Sequence, residues 1–119
     1  MIELLNRQRR YRIRPRKFRE LLESLCQIYR PDNPEVTLAF VDSRTIRALN
    51  RRFLKKDRAT DVLSFPGEGR SGDGRNYLGD IIIGVSQAFE QCLREPHGLE
   101  TELQDLAIHG FLHLVGFEH

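Results

Sequence analysis

The 119 residues bound one domain: enough chain for a core, too little for two. A hydrophobic share of 39% and a charged share of 30% are those of a soluble globular protein. No stretch approaches the ~20 apolar residues of a membrane span. The net charge of +2 hides an asymmetry: residues 1–59 hold sixteen Lys/Arg against seven Asp/Glu, and residues 60–119 hold three against ten. The first half is therefore suited to polyanions. The basic N-terminus has no apolar run behind it, so no secretory signal is read there. Cys26 and Cys92 fall inside predicted helices in no metal or redox spacing. They read as small core residues of a reducing, cytoplasmic compartment, and no membrane partner is expected.

Met1–Asn6 carries Ile2, Leu4 and Leu5 and predicts a short strand running into the basic segment Arg7-Gln8-Arg9-Arg10. Pro15 suits a first helical turn, and Phe18, Leu21, Leu22, Leu25 and Ile28 follow at helical spacing up to the stop Pro31-Asp32-Asn33-Pro34. Val36–Val41 predicts a buried strand. Asp42 or Ser43 can cap a second helix with Ile46, Leu49 and Phe53 facing inward and arginines on its other faces. Val62–Phe65 reads as a short strand ended by Pro66. Gly67–Asn76 reads as a polar, glycine-rich loop whose spacing does not fit a phosphate cradle. Tyr77–Gly84 is the most β-like run. A helix from about Ser86 to Arg94 follows, and Leu99–Val115 forms the last helix. Its residues Leu99, Leu103, Leu106, Gly110 and Leu114 share one stripe. The order β-α-β-α-β-β-α-α predicts a single α/β (α+β) domain over residues 1–119: a mixed four-stranded sheet with helices packed on it.

Three of the four histidines lie in the last eleven residues. His109 and His113, four apart on a helix, sit one above the other on one face. Gly116 can take φ > 0, end the helix and swing His119 back toward them. Three imidazoles with an open fourth position are the ligand set of a catalytic zinc, one ion per chain. The fourth, His97, reads as a surface residue. The spacing is also that of metzincin peptidases, which place the glutamate base immediately after the first histidine. Here that position is Gly110, which offers no base but lets another element approach the helix closely.

The run His109-Gly110-x-Leu112-His113-Leu114-x-Gly116-Phe117-Glu118-His119 resembles the terminal motif of the YbeY-type endoribonucleases. Leu49-Asn50, Thr60–Pro66 and Leu78-Gly79-Asp80-Ile81 are similar to that family's other blocks in the same order, and Asn6-Arg7-Gln8 to its first strand end. The resemblance implies a zincin-like fold and zinc on His109, His113 and His119. It also implies single-strand-specific endoribonuclease activity in 16S rRNA 3′-end maturation and ribosome quality control, with the small ribosomal subunit as partner. Three positions depart from the pattern. Glu118 stands where aspartate is usual, and Leu54 where the family carries an arginine at the RNA cleft. The sequence also ends at His119, where relatives continue. Were it a piece of a longer chain, the third ligand would sit on a fraying end.

Zinc on neutral imidazoles acidifies its bound water and polarises a phosphoryl oxygen. Asp61, Asp80 and Glu118 are the candidate bases or partners of the ligating histidines; each would otherwise serve a cap or turn. Ser64 is placed along the substrate groove. Arg51, Arg52, Lys55, Lys56 and Arg58 are the candidate RNA contacts. Arg52, Lys55, Lys56 or Arg58 is expected to replace the cation absent at Leu54. Tyr11, Phe53 and Tyr77 are candidates for base stacking, with Phe53 expected in the core. Two other readings are a metal-dependent hydrolase of another phosphoester or amide, and a non-catalytic ribosome-binding factor with a structural zinc.

Overall fold

The computed structural model describes residues 1–67 and 76–117. Its elements follow the predicted order: β1 (Ile2–Asn6), α1 (Pro15–Tyr29), β2 (Glu35–Val41), α2 (Ser43–Leu54), β3 (Val62–Pro66), β4 (Tyr77–Gly84), α3 (Val85–Cys92) and α4 (Leu99–Leu114). The helix α3 is shorter than its sequence pattern. The amides of Arg94 and Glu95 turn back to the carbonyls of Gln91 and Cys92, and the residues ahead of Pro96 leave the helical path. Most of the predicted glycine-rich loop lies outside the described residues. Among those described, no helix is long and apolar enough to cross a membrane.

One sheet takes in all four strands in the order β1-β2-β4-β3. β1, β2 and β4 run parallel; β3 pairs antiparallel with β4 and forms an edge. Side-chain alternation along β4 divides the core. Ile81 and Ile83 face α1, α4 and the apolar side of α3, where Phe18, Leu22, Leu103, Ala107 and Phe111 complete the larger cluster. Ile82 faces the other way, into a smaller cluster of Ala39, Val41, Ile46 and Leu63 that α2 covers. Cys26 and Cys92 are buried and free, as small core residues. Ile28, predicted inward, is instead exposed near the end of α1.

The apolar residues of α4 seat it across β3 and β4. Leu103, Leu106, Ala107, Gly110 and Phe111 are buried. Phe111 has no exposed surface, and its burial contributes about 2–3 kcal/mol. Gly110 makes the closest approach. A Cβ there would stand 2.6 Å from Ile81 Cγ2 and 3.0 Å from Ser64 Oγ, and Ser64 donates to the Gly110 carbonyl at 3.2 Å. The expectation that this glycine admits a neighbouring element is met, and the same contact leaves no room for the peptidase glutamate.

The N-terminal end of α4 is tied down by His97. Gly98 occupies the N-cap position without a side chain to cap the helix. His97 Nε2 meets Glu102 Oε1 at 2.7 Å across the first turn. His97, expected as a surface residue, is partly covered and paired.

Two outcomes follow from α4. Gly110→Ala gains about 1 kcal/mol of helix propensity but loses about 1–3 kcal/mol to overpacking against Ile81. A net loss of about 1 kcal/mol in denaturant unfolding is expected, and a gain would show that the helix does not bear on the sheet there. The hydrogen bond to Glu102 raises the His97 pKa above its ordinary value of 6.5. The pair therefore contributes fully below the unfolded imidazole value and fades as pH rises through the higher folded one. The Tm of the wild type should fall relative to that of His97→Asn as pH climbs from about 6 to about 8; parallel curves would refute this.

Candidate metal centre

His109 and His113 lie on one exposed stripe of α4, one turn apart, about 6 Å along the axis. They are placed by the helix's opposite side: the face that buries Leu106, Gly110 and Phe111 against the sheet turns the two imidazoles outward.

The helix ends in a Schellman turn. The Gly116 amide donates to the His113 carbonyl at 3.1 Å, and the Phe117 amide reaches back to the Leu112 carbonyl at 2.9 Å. Gly116 has φ +102°, a conformation costly for any residue with a Cβ. Phe117 then packs edge-on against Tyr29 of α1, with ring centroids 5.5 Å apart. The predicted glycine stop is therefore present and anchored. Glu118 and His119 lie outside the described residues. Among the described residues no three metal-binding side chains converge.

Ser64 and the two aspartates take different places. Ser64 faces α4 and bonds to it directly beneath Gly110, the residue after His109. Asp61 precedes β3, and its carboxylate is taken up by local donors. It accepts from the Val62 amide at 2.8 Å, from Thr60 Oγ1 at 3.4 Å, and from Gln91 Nε2 of α3 at 2.9 Å. That is the turn-and-cap alternative weighed for it. Asp80 follows the alternation of β4. Its neighbour Ile81 faces α4, so Asp80 faces the other side, where the Tyr77 hydroxyl bonds to both Asp80 and Thr37. The sheet stands between the Asp80 carboxylate and the face that α4 covers. Period-2 counting from Ile81 and Ile83 would have shown this from sequence alone.

The predicted RNA contacts Arg51, Arg52, Lys55, Lys56 and Arg58 are all exposed, at the last turn of α2 and in the loop beyond. Lys55 ends the helix at φ +59°. Buried Asn50 holds the loop by donating from Nδ2 to the Arg58 carbonyl at 3.0 Å. Phe53, expected inward, is 54% exposed. The last turn of α2 overlies the edge strand β3, and among the described residues no further strand completes a core there. Its ring stands edge-on to Phe65 of β3 with centroids 5.4 Å apart, and the Arg52 guanidinium lies 5.3 Å from its centroid. The other aromatic candidates are engaged elsewhere: Tyr11 packs on Phe89 at 5.2 Å, and Tyr77 serves the bonds just described.

The chain has recognisable relatives. Sequences of the family described as Endoribonuclease YbeY match residues 3–119. An Endoribonuclease YbeY of Geobacillus thermodenitrificans is 42% identical over 116 residues, covering 84% of this chain and 74% of the relative. That of Oceanobacillus iheyensis is 44% identical over 93 residues, covering 71% of this chain and 60% of the relative, so the chain spans less than two thirds of that protein's length. The solution structure of TM1509 from Thermotoga maritima superimposes with a TM-score of 0.63 at 29% identity, over 100% of this chain and 75% of that one. With the family's sequence pattern running from Glu3 to His119 and the fold shared throughout, this chain belongs to the Endoribonuclease YbeY family.

Proposed function

We propose that the protein is a zinc-dependent endoribonuclease that cuts single-stranded RNA, with precursor 16S rRNA of the small ribosomal subunit as its substrate in the cytoplasm. The observation that carries this reading is the pairing of two histidines on the outer stripe of α4 with a Schellman turn directly after them. His109 and His113 supply two ligands from a rigid helix. The turn at Gly116 redirects the backbone three residues before His119, the third ligand of the reading. Bound there, zinc would polarise a phosphoryl oxygen and acidify water. Imidazole nitrogens are good zinc donors, and a three-histidine set would leave a fourth position for water or substrate.

The chain's own residues divide the remaining work. Asp61 is a positioning residue, since its carboxylate joins the start of β3 to Gln91 of α3. Asp80 is given the same kind of role through Tyr77 and Thr37. That leaves Glu118, beside the third histidine, as the carboxylate for proton transfer. Ser64 lines the substrate path next to the histidine helix. Arg52 is the cation that stands in for the arginine absent at Leu54. Through Phe53 and Phe65 it is tied to β3, the same strand that carries Ser64 to α4. Arg51, Lys55, Lys56 and Arg58 neutralise phosphates, and the exposed ring of Phe53 offers a stacking surface for a base.

Wild type and His113→Ala are compared for zinc content by mass spectrometry and for cleavage of a single-stranded RNA carrying a 16S 3′-end sequence. Wild type should hold one zinc and cut, and the variant should lose both. A wild type that binds zinc and small subunits but cuts no RNA would leave the non-catalytic reading in possession. Gly116→Ala should lower zinc affinity without removing a ligand, because the alanine resists φ +102° at a cost of about 1 kcal/mol; unchanged affinity would count against the turn. Arg52→Ala should slow RNA cleavage at unchanged zinc content, and wild-type rates would reassign the cation.

A further inference from the structure

We infer that a second, arginine-lined groove, at the opposite end of the sheet from the histidines, takes the phosphate backbone of a single-stranded RNA remote from the cut. This rests on the endoribonuclease reading above and extends it. The parallel strands β1, β2 and β4 end side by side at Asn6, Val41 and Gly84. The chain leaves β1 toward α1 on one face of the sheet and leaves β2 toward α2 on the other. A crevice opens where neighbouring strands send their connections to opposite faces, and it is a general place for ligands in open α/β sheets. Here it is a cavity of about 390 Å³ that Arg9, Arg10 and Arg44 line. At Ser43 and Arg44 it runs into a second groove of about 610 Å³ along α2, lined by Arg44, Arg47, Arg51 and Arg58.

The charge on this track is only partly compensated. Six arginines line it against two carboxylates. Asp42 is used to cap α2 through the Thr45 amide at 2.8 Å, and Asp57 is paired with Arg47 at 2.8 Å. Among the described residues no carboxylate pairs with Arg9, Arg44, Arg51 or Arg58. Arg9 and Arg10 also do not sit on a loose tail. Buried Gln8 clamps their turn, donating from Nε2 to Asn6 Oδ1 at 2.9 Å and to the Tyr11 carbonyl at 2.8 Å, and accepting from the Tyr11 amide at 2.9 Å. Four guanidinium groups with no carboxylate partner among the described residues, set along a groove, fit a chain of phosphates.

The groove is separate from the histidines. Gly110 rests on Ile81, and Leu114 stands beside Gly79, so α4 carries His113 toward the amino end of β4. The crevice lies at its carboxyl end, about 15 Å away along the strand. The groove along α2 extends the crevice past Arg47 to Arg51 and Arg58, on the face of the sheet that α2 covers. A short RNA fills only the histidine end; a longer one reaches the crevice.

The test uses the full chain and single-stranded RNAs of about 6 and about 20 nucleotides, the range of single-strand site sizes. Binding is measured by fluorescence anisotropy against salt with a chelator present, and cleavage is measured separately. Arg9→Ala/Arg44→Ala is compared with Arg16→Ala/Lys17→Ala, which removes two exposed charges from α1. For the long RNA, the groove variant should show a salt slope shallower by about 1.4, two phosphate contacts at about 0.7 each. The control variant should keep the wild-type slope, and the groove variant should cut the short RNA at the wild-type rate. An unchanged slope, an equal loss in the control, or a loss of polyglutamate binding without loss of RNA binding overturns the inference; the last would mark the groove as a site for acidic protein. A wild type that cuts neither RNA refutes the endonuclease reading, while the slope comparison still decides the groove.

Discussion

The seating of α4 on the sheet at Gly110 is the contact on which the rest of the structure depends. Ile81 is fully buried and Ser64 donates to the helix backbone, so the helix axis lies as near to β3 and β4 as side chains allow. Any residue larger than glycine would lift it, because a Cβ at that point falls inside van der Waals contact. The close seating fixes the rotation of the helix about its axis. That rotation turns His109 and His113 outward together.

The same contact explains why a zincin-like spacing of histidines does not make a peptidase of this chain. The position that carries the general base in such enzymes points here into the sheet, at the tightest point of the interface. Of the three candidate carboxylates, Asp61 and Asp80 are engaged in holding a turn and a strand. The arginines are arranged by an equally simple rule. They occupy the outer faces of α2 and the turn after β1, both of which lie along the carboxyl ends of parallel strands, where connections to opposite faces leave a crevice.

Element order, strand identity and the helical stop were legible in the chain. Period-2 and period-3.6 patterns are strong in β2, β4, α1 and α4, and Pro15, Pro31 and Gly116 punctuate them. The histidine stripe was legible for the same reason, since i and i+4 share a face on any helix. What failed to read through was exposure near an edge. Phe53 has core spacing and an apolar ring, yet it is half exposed because α2 overhangs a strand with no neighbour. Tyr11 and Tyr77 looked available and are engaged. Asp80 looked like a neighbour of the histidines and faces away from α4.

The amino-acid sequence by itself determined the residue types and local spacing of the candidate site: three closely spaced histidines, a glycine where a peptidase needs a base, and a first half rich in arginine. These are properties of residue type and local spacing, and they hold whatever the packing. Only the tertiary structure decided which groups share a surface. Sheet order placed β3 at the edge and β1, β2 and β4 in parallel, so Arg9 and Arg44, 35 positions apart in the chain, line one crevice. Local patterns contain no term for that distance, because it is set by which strands pair and on which side of the sheet each connection crosses.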